Sequence, residues 1–256
     1  MPSSTPTSPS LPSPATRRDQ AGPPLLPPAL AFTGLSVAGL VLGAGGPRPT
    51  STPDAVAAYL TGSVGTATLL GVLVLAAAFP LAIWTAVTYR RLRGLGVTAP
   101  GPAIGLVGGL MASCALAVSG LVAWTAAATA ALPGAGSNPG QALLLRALST
   151  LSFAAGGPWF VASLGLLLAG TAVPALILGL LPRSVAWVGL GLAVIAVAGV
   201  LSLLFPVLSP LLPIGRFGGA LWMVTVSLLL PVRRARRTPG QPSDSPSATD
   251  RARVQS

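Results

Sequence analysis

The chain reads as an all-α integral membrane protein, a six-helix bundle with disordered termini. Three observations predict this. Only 7% of the 256 residues are charged and 52% are hydrophobic, where a soluble domain carries about a quarter charged residues. Between residues 28 and 231 the formal charges are Arg48, Asp54, Arg90, Arg91, Arg93, Arg146, Arg183 and Arg216. The gaps between them hold six apolar blocks, each reaching or approaching the roughly 20 residues that a spanning helix needs. Lipid offers no partner to an open backbone, so each block must close its own hydrogen bonds as a helix. The alternating polarity of a membrane β-barrel is absent.

Taken in order, residues 1–27 are rich in Ser, Thr and Pro and form a disordered cytoplasmic tail. Residues 28–231 form the six-span domain. Residues 232–256 are basic, then disordered from about residue 238. The apolar blocks cover residues 28–44, 64–89 (with Pro80 inside), 103–132, a fourth that ends at Leu181 and starts between Ala147 and Pro158, then 185–205 and 212–230. Thr52, Pro53 and Asp54 supply an N-cap, a proline for the first helical position and an acid for the first turn. A short helix from Pro53 to Gly62 follows. Residues 133–140 (PGAGSNPG) read as a loop. Pro182, Arg183 and Ser184 form a tight turn with Ser184 as N-cap. Pro206, Pro210 and Pro213 break the stretch between the last two spans.

The positive-inside rule orients the bundle. With the N terminus in the cytoplasm, the inner side holds Arg17, Arg18, Arg90, Arg91, Arg93, Arg183, Arg233, Arg234, Arg236 and Arg237, against Arg48, Arg146 and Arg216 outside. Both termini are then cytoplasmic. Tyr89 and Trp187 fall near the inner interface and Trp124 near the outer one. Arginine without lysine, amid abundant Ala, Gly and Pro, is the mark of G+C-rich bacterial coding, which places the chain in a bacterial plasma membrane. The inner arginine clusters read first as topology determinants and second as a site for anionic lipid.

Missing residue types exclude most chemistry. The chain has no His, Glu or Lys, so histidine-based triads and zinc sites cannot form. One carboxylate in the membrane domain excludes paired-carboxylate and two-metal catalysis, and no phosphate-binding P-loop motif is present. The spans lack the Asp, Glu or His of proton relays. Cys114 has no second cysteine to pair with and reads as a small buried packing residue. No cofactor or metal is expected, and the scattered arginines form no nucleic-acid-binding face despite the net charge of +11. The expected partners are membrane lipids and other membrane proteins.

Two candidate sites remain. Asp54, Arg146 and Arg216 all fall on the predicted outer side. Either the acid lies near one of the arginines or the two arginines face a shared anion; the plainer reading lets both arginines snorkel to headgroups. Gly156, Gly157 and Pro158 mark a candidate break in the fourth helix. Such a break can present a helix N terminus to an anion, or can be a kink whose freed carbonyls find neighbours. Small residues four apart (Gly105 and Gly109, Gly189 and Ala193, Gly215 and Gly219) favour close helix packing within the bundle.

The Pro-Asp-led outer helix, the span ending in Arg-Arg-Leu-Arg, Gly-Gly-Pro-Trp-Phe at 156–160, Leu-Leu-Pro-Arg-Ser-Val-Ala-Trp-Val-Gly-Leu at 180–190 and Gly-Arg-Phe-Gly-Gly-Ala-Leu-Trp at 215–222 occur together. The combination resembles the uncharacterised multi-pass membrane proteins of high-GC Gram-positive bacteria grouped as a domain of unknown function. The resemblance spans about residues 28–231 and implies no catalytic or binding residue. The leading expectation is a non-enzymatic structural or accessory membrane subunit. The alternative is a small transporter or binder of an anionic or lipidic ligand, using Arg146 and Arg216.

Overall fold

A computed structural model describes residues 24–48, 50–134 and 138–231. The tail beyond residue 231, and all but the last few residues of the 1–27 tail, lie outside the described residues. So do the arginines at 17, 18, 233, 234, 236 and 237.

The described residues fold into α-helices joined by short connections. They are α1 (Leu26–Gly43), α2 (Pro53–Gly62), α3 (Val64–Gly94), α4 (Gly101–Ala130), α5 (Pro139–Ala154), α6 (Phe160–Ile177), α7 (Arg183–Ala198) and α8 (Leu211–Leu229). Six helical stretches are long and apolar enough to cross a membrane, with α5 and α6 acting as one continuous 39-residue span. The protein is therefore a multi-pass, all-α membrane protein. Consecutive spans alternate in direction. One end of the bundle carries α2, the start of α5 and the α7–α8 linker. The other carries Arg90, Arg91, Arg93 and Arg183. α6 is the central helix and packs against α4, α7 and α8, while α1 closes the ring between α3 and α8.

Local chemistry explains the ends. Thr52 accepts a hydrogen bond from the Ala55 N–H at 3.4 Å, with Pro53 in the first turn and Asp54 behind it, as expected. The loop expected over residues 133–140 is shorter than read. Asn138 caps α5 by accepting from the Gly140 N–H at 2.9 Å, and Pro139 opens the helix because its missing N–H costs nothing there. Ser184 is not a cap. Pro182 is already extended (ψ 137°), so α7 starts at Arg183 and Ser184 sits in the first turn. Both turns at the arginine-cluster end close alike. Gly96 (φ 84°) and Gly179 (φ 63°) take the left-handed conformation, and the next N–H reaches five residues back, Val97 to Leu92 at 3.2 Å and Leu180 to Ala175 at 2.9 Å.

Glycine sets the closest helix crossings. A Cβ on Gly120 would meet the Gly71 carbonyl oxygen at 2.7 Å, and one on Gly108 would meet the Leu167 nitrogen at 2.7 Å. The expected small-residue pairs pack within the chain: Gly105 on Gly170, Gly109 on Thr85, Gly189 on Trp222, Gly215 on Val161 and Ala196, and Gly219 on Leu164. Buried indoles find acceptors. Trp84 donates to Ser227 Oγ and Trp222 to the Val185 carbonyl, each at 2.8 Å. Cys114 departs from its expected place: it is exposed. The buried face of α4 runs through Ala112, Ser113, Ala115 and Leu116. The 3.6-residue period turns residue 114 outward, to the surface that lipid covers. Trp124 and Trp187 are also exposed.

Candidate functional site

The fourth span does not break at Gly156–Pro158. It passes through one π-helical turn, Ala155–Trp159, in which the Phe160 N–H bonds to the Ala155 carbonyl five residues back. Proline removes one donor and the glycines remove two Cβ atoms, so a wider turn is accommodated where a regular one would clash. No free helix N terminus is presented, which removes the basis for an anion site at a broken helix. The Ser152 carbonyl, just before the turn, accepts from Ser119 Oγ of α4 at 2.9 Å, and Ser152 Oγ donates back to the Ser119 carbonyl at 3.0 Å. The Gly156 carbonyl is approached by Arg216 Nη1 at 3.5 Å.

This π turn forms one wall of a cavity of about 490 Å³ at the α2 end. That volume lies within the roughly 300–1,000 Å³ of small-molecule sites. Leu40 from α1, Leu70 and Val74 from α3, Val161 from α6 and Leu212 from α8 make its apolar walls. Ser36, Ser119, Ser152 and Arg216 add polar groups, and Arg48 stands at its mouth. At 1.5 Å per residue, Val74 lies about 15 Å along α3 and Arg216 about 7 Å along α8. The cavity thus extends from the α2 end to the third turn of α3 and the second turn of α8.

Arg216 is the principal group. Its guanidinium lies 5.2 Å from the Phe160 ring centroid and 6.0 Å from that of Phe217. Its Nε is buried without a hydrogen-bond partner. A cation–π contact is worth about 0.5–2 kcal/mol, whereas removing an ion from water costs several kcal/mol even after relaxation. The ring and one long hydrogen bond do not offset that cost, and no acid lines the cavity. Ser36 repeats the theme. It is 2% exposed, faces the cavity, and its Oγ has no partner. Elsewhere in the bundle hydroxyls bond back to the carbonyl four residues earlier, as Thr33, Thr85 and Ser113 do. Two of the four unpartnered buried side-chain atoms among the described residues therefore line one cavity.

A second, smaller depression of about 50 Å³ adjoins the mouth. Arg146, Thr150 and Val56 line it, together with Pro47, Arg48 and Phe153, which the large cavity shares. Arg146 Nε donates to Thr150 Oγ1 at 3.3 Å. The linings that hold Arg146 and Arg216 thus adjoin at Pro47, Arg48 and Phe153. Asp54 is exposed, lines neither depression, and makes no ion pair with Arg146 or Arg216 among the described residues.

Sequence reasoning singled out Arg146, Arg216 and the glycines of the π turn, and passed over Ser36, Arg48, Ser119 and Ser152. A signal for Ser36 was present: it is polar, and it lies on the same helical stripe as Ala29, Phe32 and Gly39. No protein-family profile, curated protein or solved structure matches this chain.

Proposed function

We propose that this is a multi-pass protein of the bacterial plasma membrane, with both termini in the cytoplasm, that binds an anionic ligand in the cavity beside Arg216. The orientation rests on arginine distribution. Arg90, Arg91, Arg93 and Arg183 share the end of the bundle where α1 begins and α8 ends, and the positive-inside rule assigns that end to the cytoplasm. The cavity then opens to the outer side.

The observation that carries the ligand reading is an arginine facing an intramembrane cavity with its Nε unpartnered and no carboxylate in the lining. Ionisable groups at such depth mark ligand or ion pathways. An anion supplies the missing countercharge, and Ser36 Oγ adds a donor. The lining offers neither nucleophile–base pairs nor metal ligands, so the proposal is binding or passage rather than reaction. A purely structural or accessory role is second, because a bundle serving only as scaffold has no need of a charged cavity.

The test is thermal unfolding of the purified full chain in nonionic detergent, with dodecyl phosphate as probe. The phosphate is expected to raise the midpoint of the wild type and to leave Arg216→Gln unmoved, with Arg216→Lys between them. An equal rise in wild type and Arg216→Gln would overturn the proposal.

A further inference from the structure

The two depressions lie side by side, and that adjacency bears on the chemistry of the ligand. Arg216 stands in the large cavity and Arg146 in the smaller one, with Arg48 and Phe153 belonging to both linings. The smaller part, about 50 Å³, has room for one small polar group, since a cavity of about 10–15 Å³ already holds a water molecule. The large part is walled by leucine and valine below the level of the arginines. Its rim includes Leu40 of α1, which is 53% exposed, and Pro213 of α8, also exposed, so the wall is incomplete between these two helices. α1 packs closely through Leu25, Ala29 and Phe32, but in its second half only Ser36 and Gly39 are buried.

We propose, building on the anion-binding reading, that the ligand is a membrane lipid whose head carries two linked anionic groups, of the lipid diphosphate class. It enters sideways between α1 and α8. Its first phosphoryl group lies between Arg216 and Ser36 Oγ. The second reaches Arg48 and Arg146 at the mouth, and the chain lies against Leu40, Leu70 and Val74. Guanidinium groups suit this role because their planar donor fork matches phosphoryl oxygens. Apolar walls next to the charged groups favour a lipid over a free polyanion, whose transfer from water they would oppose.

Binding to the full chain in nonionic detergent micelles separates the alternatives. The probes are dodecyl phosphate, dodecyl diphosphate and inorganic pyrophosphate. The diphosphate lipid is expected to bind about tenfold or more tighter than the monophosphate, the scale of one added charge-assisted hydrogen bond. Arg146→Gln should abolish that advantage while leaving monophosphate binding unchanged, and Arg48→Gln, at a residue both depressions share, should abolish the advantage too. Pyrophosphate should neither bind nor compete at the same concentrations. Equal binding of the two lipids, unaffected by Arg146→Gln and Arg48→Gln, would overturn the two-group head and leave the anion-binding reading intact. Competition by pyrophosphate as strong as that of the diphosphate lipid would overturn the lipid part. If Arg216→Gln left all binding as in the wild type, the failure would lie with the cavity reading itself. Arg216→Lys, which keeps the charge, guards against a folding defect being mistaken for lost binding.

Discussion

Ser119 and Ser152 exchange hydrogen bonds: the Oγ of each donates to the carbonyl of the other, at 2.9 and 3.0 Å. The pair ties α4 to α5 one turn before the π turn that walls the cavity. The Ser152 carbonyl also accepts from the Ala155 N–H of its own helix, so the Ser119 hydroxyl adds a second bond, one that crosses between helices. Ser119→Ala removes that bond and is expected to destabilise the protein by about 0.5–1.5 kcal/mol. A double-mutant cycle with Ser152→Ala, read by unfolding in detergent, should give a coupling of about 0.5 kcal/mol or more. Strict additivity would show that the pair is not a unit.

Replacing Arg216 should separate stability from function. A half-buried charge with no acid beside it is a cost, and exchanging buried ionic groups for apolar ones often stabilises by about 1–4 kcal/mol. Arg216→Met is expected to raise the unfolding midpoint of the ligand-free protein and to abolish its response to dodecyl phosphate. A lower midpoint would mean that the contacts with Phe160 and Gly156 hold the fold together.

Two glycines should respond in opposite directions to the same change. In Gly120→Ala the new methyl overlaps the backbone of α3 at Gly71 and Leu75. Overpacking of this kind costs about 1–3 kcal/mol. In Gly191→Ala nothing lies within 4 Å, and helix propensity favours alanine by up to about 1 kcal/mol. Melting curves of the two variants in the same detergent check the contrast. Equal effects would contradict the close α3–α4 crossing.

Cys114 provides a native probe of lipid exposure. It lies near the middle of the 30-residue α4 and is exposed. A nitroxide attached to it in detergent and reconstituted into membranes should relax in the presence of oxygen, which dissolves in lipid, and not with a water-soluble nickel chelate. Relaxation by neither reagent would return Cys114 to the buried core.

Topology is tested by reporter fusions. A periplasmic reporter is expected to be active after Gly134 and inactive after Pro231, with a cytoplasmic reporter showing the reverse. The opposite pattern would invert the bundle and place the cavity on the cytoplasmic side.

How far the site could be read beforehand depended on residue type. Charge is so scarce that Arg146 and Arg216 stood out, because a cation in an apolar span is a free-energy anomaly visible in one dimension. The serines carried no such mark. A helical hydroxyl normally bonds to the carbonyl four residues back, as Thr85 and Ser227 do. Ser36, with no partner, and Ser119, paired across helices, look the same in sequence. Arg48 resembled an ordinary loop arginine until the fold set it between the two depressions. The glycines and proline at 156–158 announced an irregularity, but not the packing around it, where Gly156 meets Ser119 of α4 and Gly157 meets Leu212 of α8.

The sequence by itself determined the class, the six spans and the caps that begin α2. These follow from hydropathy, helix length and local backbone chemistry, which need no distant partner. Tertiary structure decided which side of α4 carries Cys114, which hydroxyls lack acceptors, and that Arg216 and Ser36 face the same cavity. Those outcomes depend on how helices far apart in the chain pack together, and an apolar helix without a polar face leaves that choice to steric fit.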